Sequence, residues 1–103
     1  REFHSADINQ NNRIALAELL RVIQFYNSGG YHCVVPPATS EDGYVAGPGE
    51  DKDCCPHTSD YNTQNWLINL SELLRLVQFY NAGGYYHCPL DGTEDGYCAG
   101  EPA

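Results

Sequence analysis

Hydrophobic positions follow a helical rhythm in two stretches of the chain, and the two stretches are nearly the same. From Glu18 to Tyr26 the polar residues Glu18, Arg21 and Gln24 form one narrow stripe, while Leu19, Leu20, Val22, Ile23, Phe25 and Tyr26 fill the rest of the circumference. The block Glu18 to Tyr31 returns as Glu72 to Tyr85 at an offset of 54 residues, so the chain contains an internal duplication. Each copy predicts a helix of about three turns, ending near Asn27 or Asn81, where Gly29-Gly30 and Gly83-Gly84 supply a left-handed stop. In the second copy Asn69 and Glu72 have capping-box spacing; the first has Ala15 in place of the Asn, so Glu18 alone remains. Helices this short are marginal in isolation and depend on packing. So wide an apolar circumference exceeds what two helices can cover for each other. It points either to a partner surface, most simply a second copy of the chain, or to Tyr- and Pro-rich loops folded back over the helices.

The segments preceding the helices are also duplicated. His4-Ser-Ala-Asp7-Ile-Asn9 matches His57-Thr-Ser-Asp60-Tyr-Asn62 at an offset of 53, so the second copy has one extra residue before Glu72. Set against the calcium-loop spacing D-x-[DN]-x-[DN]-G-x5-E, Asp7, Asn9 and Asn11 fall at positions 1, 3 and 5. Arg13 then offers its carbonyl at position 7, and Glu18 closes the loop at position 12. Short oxygen side chains at alternate positions curl the backbone round a hard cation, and a long carboxylate completes the cage. Position 6 is Asn12 instead of Gly, and Asn is the residue that next best tolerates positive φ. In the second loop Asp60 and Asn62 are the first ligands and Glu72 the last, with Gln64 or Asn65 supplying the middle oxygen. The expected cofactor is Ca2+, about two ions. The competing reading is an Asn-rich turn leading into a capped helix.

At 103 residues the chain makes one small domain, or two half-size units, 1–53 and 54–103, sharing a core. A formal charge of −9 with five Lys plus Arg argues against nucleic acid and anionic membranes as partners, and suits cations. No apolar run reaches the ~18 residues of a membrane span. No signal-peptide pattern opens the chain, which predicts a mature or excised product. Five cysteines predict an oxidising compartment, extracellular or at the cell surface.

The duplication suggests the bridges. Cys33 and Cys88 are equivalent, but Cys98 has Val45 as its counterpart, so Cys88 can close on Cys98 while Cys33 must look along the linker to Cys54 or Cys55, with Cys54 the expected partner. Cys55 is left free or bonded to another chain. His4 with His57, and His32 with His87, recur as pairs, yet neither C-x-x-C-H nor the paired spacing of a zinc site is present. A redox or transition-metal carrier using His32, His87 and Cys55 is an outside alternative. The linker Val34 to Asp53 reads as flexible, Glu41 and Glu94 as turn residues, and Asp42 and Asp95 as further candidate ligands. No Ser-His-Asp set, phosphate loop or nucleophile elbow appears, so an enzyme is not expected.

Two calcium-type loops, each followed by one helix and lacking an entering helix, resemble the dockerin arrangement of loop-helix halves in secreted bacterial proteins. The likeness covers Asp7 to Asn27 and Asp60 to Asn81. It implies that Asp7, Asn9, Asn11, Glu18, Asp60, Asn62 and Glu72 are calcium ligands in a module for extracellular assembly. The chain departs from that pattern in closing its loops with Glu, in the distance between copies, and in its cysteines and Gly-Gly-Tyr-His-Cys tail. The block Ser71 to Tyr85 looks like a repeat unit of large secreted bacterial surface proteins. The expectation is a small, mostly α fold of two EF-hand-like loop-helix units packed together, with long irregular disulfide-linked loops. Its expected role is a calcium-stabilised structural module of an extracellular assembly, such as a filament subunit that associates through apolar helix faces. The alternative is a dockerin-like adaptor that binds one protein partner.

Overall fold

The computed structural model describes residues 3–36, 38–40, 42–61, 64–88 and 95–100. Helix α1 spans Leu16–Asn27 and helix α2 spans Leu70–Asn81, and each ends on a turn at its Gly-Gly pair. Each helix is followed by a short antiparallel hairpin. Strand β1 (Tyr31–Cys33) pairs with β2 (Tyr44–Ala46), placing Cys33 opposite Tyr44; β3 (Tyr85–His87) pairs with β4 (Tyr97–Ala99), placing His87 opposite Tyr97.

The fold is therefore mixed α/β, two helices with four strands in two small sheets, which corrects the mostly α expectation. The reason is length. Three-residue strands are too short to display a period of two, and their partners lie across loops with no apolar pattern of their own. The linker read as flexible contributes β2, and Arg21 holds it against α1. The guanidinium donates to Asp42 Oδ2 at 3.0 Å and Oδ1 at 3.1 Å and to the Tyr44 carbonyl at 2.7 Å, while lying 4.9 Å over the Phe25 ring. Arg75, Asp95, Tyr97 and Phe79 repeat this clamp in the second half. Asp42 and Asp95 are thus engaged with arginine and not with the loops.

One core draws on both halves. Val22, Phe25 and Tyr31 from the first copy and Leu76, Phe79 and Tyr85 from the second are the most deeply buried apolar side chains, and the two helices pack on each other. The contacts are reciprocal. The Tyr31 amide donates to the Trp66 carbonyl (3.2 Å), and the Tyr85 amide to the Asn12 carbonyl (3.1 Å), so each hairpin begins against the other copy's loop. Gly30 makes this approach feasible, because a Cβ there would sit 2.7 Å from the Trp66 carbonyl oxygen. No helix among the described residues is long and apolar enough to cross a membrane.

Candidate functional site

Each duplicated loop is a buried carboxylate surrounded by backbone amides. In the first, Asp7 is 2% exposed; its Oδ1 accepts from the Asn11 amide (3.1 Å) and its Oδ2 from the Asn12 amide (2.8 Å). The Tyr85 hydroxyl, arriving from the other copy, donates to Asp7 Oδ2 at 2.6 Å and accepts from the His4 amide at 3.0 Å. Glu18 then spans the loop. Its Oε2 accepts from the Ile8 amide at 2.7 Å and the Asn9 amide at 3.4 Å, and its Oε1 from the Ala15 amide at 2.8 Å. Ala15 has no side-chain oxygen, so Glu18 does the ordering at the start of α1.

The second loop repeats the plan. Asp60 accepts from the Asn65 amide (3.3 Å), the Trp66 amide (2.9 Å) and the Tyr31 hydroxyl (2.8 Å), and Tyr31 in turn accepts from the His57 amide at 2.9 Å. Glu72 is fully buried and forms the reciprocal capping box with Asn69, both bonds 2.9 Å. Burial first, and then the hydrogen bond to the aspartate, raises the pKa of both phenols far above the ordinary tyrosine value.

The structure brings Asp7, Asn11 and Glu18 to one loop, but the carboxylate oxygens face backbone N–H donors and, at Asp7, the Tyr85 hydroxyl. Asn9 and Arg13 are exposed, and Asn11 Oδ1 accepts from the Arg13 amide at 3.0 Å as a local turn. In the second loop Asn65 is the counterpart of Asn11, because its Oδ1 accepts from the Leu67 amide at 3.2 Å; Gln64 is exposed, and Asn62 lies outside the described residues. Glu41 and Glu94 lie outside them as well. Among the described residues no group of three or more His, Cys, Asp or Glu side chains is placed to hold a metal ion.

Left-handed backbone marks both loops, with φ of +62° at Asn12 and +62° at Trp66. Asn adopts this region with little strain. Trp, whose bulky side chain carries a higher cost there, is held by its carbonyl bond to Tyr31 and by ring contact with Tyr31 at 5.0 Å. Two bridges close the hairpin regions, Cys33–Cys54 and Cys88–Cys98, and Cys55 is an exposed thiol. These disulfides are compatible with an oxidising, extracellular environment. Tyr86 is an extra residue relative to the first copy, so His87 takes the register of Cys33 opposite its tyrosine, and His32 and His87 are not equivalent in space. His32 contacts the Gly47 carbonyl at 2.8 Å.

Sequence reasoning missed Tyr31 and Tyr85 as the partners of the loop carboxylates. The available signal was the Gly-Gly-Tyr that ends both copies of the repeat. No protein-family model, no curated protein and no solved structure matches the chain.

Proposed function

We propose that this chain is a structural module of an extracellular assembly that joins copies of itself through the outer faces of α1 and α2. The observation carrying this reading is a duplicated apolar surface. Leu16, Leu20 and Tyr26 are 54, 52 and 39% exposed, and their counterparts Leu70, Leu74 and Tyr80 are 54, 53 and 37% exposed. A shallow groove runs along each helix, lined by Leu20, Ile23 and Asn27 on one and by Leu74, Val77 and Asn81 on the other. Glu18 and Glu72, the only acidic residues of the two helices, are buried, so neither outer face presents negative charge despite the net −9. Two matching faces on one molecule make it bivalent, which favours an open chain of subunits over a closed pair.

Sedimentation velocity on the disulfide-intact protein, from micromolar to millimolar concentration, tests this. Species larger than a dimer that grow with concentration are expected, and a Leu20→Glu, Leu74→Glu variant should remain monomeric. A wild-type protein that stays monomeric throughout removes self-assembly and leaves the single-partner adaptor.

A structural calcium ion in the first loop is a second proposal, favoured by the left-handed φ of Asn12 at the position where a calcium loop turns. Entry of the ion requires Glu18 to release the Ile8 and Asn9 amides, so weak, roughly millimolar affinity is expected, as in other extracellular modules. Thermal melts in excess chelator and in calcium decide. A rise of several degrees with calcium supports the ion, and coincident curves mean that hydrogen bonds alone close the loops.

A further inference from the structure

The contacts across the centre of the molecule come in matched pairs. The Tyr31 hydroxyl reaches Asp60 and the Tyr85 hydroxyl reaches Asp7, while the Tyr31 and Tyr85 amides reach the Trp66 and Asn12 carbonyls. Ser5 and Thr58 face each other where the copies meet. Their hydroxyls lie 2.7 Å apart, and each accepts the other's backbone amide, at 3.1 and 3.0 Å. The His4 ring sits on Phe79 and Tyr97 of the second copy and the His57 ring on Phe25 and Tyr44 of the first, with centroids 5.8, 5.3, 5.7 and 5.3 Å apart. Gly84 admits the second hairpin as Gly30 admits the first, since a Cβ there would lie 2.8 Å from the Asn12 carbonyl oxygen. The interface between the repeats is therefore isologous, as in a twofold dimer: a residue of one copy meets a residue of the other, and their counterparts repeat the contact.

Little besides this interface joins the copies. Cys33–Cys54 closes within residues 3–54 and Cys88–Cys98 within residues 57–100, and Cys55 is a free thiol, so no bridge crosses between them. The Tyr44 hydroxyl holds the Cys55 carbonyl to the first copy at 2.7 Å, and the His57 amide already donates across the interface to Tyr31 at 2.9 Å. The connector between the two units is Cys55–Pro56.

We propose that the inner face of each repeat is a docking site for the complementary repeat of a second copy of this chain, so that two molecules exchange repeats about the Cys55–Pro56 hinge. In the exchanged dimer Asp7 of one chain receives the partner's Tyr85, and Asp60 receives the partner's Tyr31, so each loop is completed by the other molecule. Closed monomer and exchanged dimer share the same contacts, and concentration and hinge length set the balance. A short tether gives the attached repeat an effective concentration on the order of millimolar, and a second chain at that level competes with it. A connector too short for the copies to meet within one chain removes the closed form and leaves exchange. This surface is separate from the outer helix faces, and reaching it requires the shared core to undock.

Wild type and the Leu20→Glu, Leu74→Glu variant are unfolded in urea with their disulfides intact, refolded from micromolar to millimolar concentration, and separated by size exclusion. In both, the ratio of dimer to monomer should rise about tenfold for each tenfold rise in chain concentration during refolding. The exchanged dimer should persist on dilution, whereas association through the outer faces reverses on dilution and is lost in the variant. In dimer refolded from a mixture of isotope-labelled and unlabelled chains, filtered NOEs should connect the Phe25 ring of one chain to the His57 ring of the other. Deleting Cys55 and Pro56 should make the dimer dominant at micromolar concentration, and if that variant does not fold, the NOEs in the undeleted chain decide. Monomer alone at every refolding concentration, a dimer without those NOEs, or a folded monomeric deletion variant overturns the exchange.

Discussion

Replacing Tyr31 with Phe removes one oxygen and keeps the ring. That oxygen is the junction of two buried groups, donating to Asp60 Oδ2 at 2.8 Å and accepting from the His57 amide at 2.9 Å. Asp60 retains its Asn65 and Trp66 amides, but the His57 N–H loses its acceptor inside the core. A hydrogen bond to a charged acceptor is worth about 1.5 to 3 kcal/mol, and a buried donor left unsatisfied costs about 1 to 3 kcal/mol. The two together give a loss of roughly 2.5 to 6 kcal/mol against the 5 to 15 kcal/mol typical of a whole domain. Urea denaturation followed by circular dichroism, with the bridges intact, measures it. Tyr85→Phe should behave alike, because Tyr85 makes the same two bonds to Asp7 and His4. Tyr26→Phe, on the exposed helix face, should fall within about 0.5 kcal/mol of wild type. If Tyr31→Phe loses no more than Tyr26→Phe, the crossed tyrosine–aspartate bonds do not hold the repeats together.

Two further outcomes follow from the same contacts. Gly30→Ala should destabilise more than Gly29→Ala, although both have positive φ, because a Cβ at Gly30 meets the Trp66 carbonyl at 2.7 Å whereas one at Gly29 meets nothing within 4 Å; equal losses in urea melts would contradict this close approach. Stability should also fall in alkali. The Tyr31 and Tyr85 phenols are raised by burial and by their aspartates, so the unfolded chain releases those protons first. Their contribution is intact below about pH 10 and declines above it by about 1.4 kcal/mol per pH unit for each phenol. Absorbance at the tyrosinate band should show the two phenols ionising only with unfolding, and ionisation of all tyrosines together in a folded protein would refute it.

Much of the local structure can be read from the chain alone. The helix ends at Asn27 and Asn81 follow from periodicity and the glycine pairs, and the Asn69–Glu72 box from its spacing. The pairing Cys88–Cys98 is the one that the duplication suggests once Val45 is seen to replace a cysteine, whereas Cys54 and the adjacent Cys55 are alike in reach of Cys33 and only the folded chain selects Cys54. The legible features rest on interactions between residues near in sequence or on comparison of two copies. Loop spacing likewise indicated that Asp7 and Glu18 act at one place, but not what their oxygens would meet.

Tertiary structure alone decided the rest. The strands are legible only as pairs, since three residues carry no usable alternation and their partners are supplied by folding. Of the polar stripe Glu18, Arg21 and Gln24, Glu18 turns into the loop and Arg21 into the hairpin, leaving Leu16 and Leu20 outside. Likewise, the crossing of Tyr85 to Asp7 and His4, and of Tyr31 to Asp60 and His57, joins residues 26 to 81 positions apart. A repeat specifies that both halves carry the same groups. Which half each group serves depends on how the copies dock, and that is set by the burial of aromatic surface and buried polar groups that only the assembled pair can satisfy.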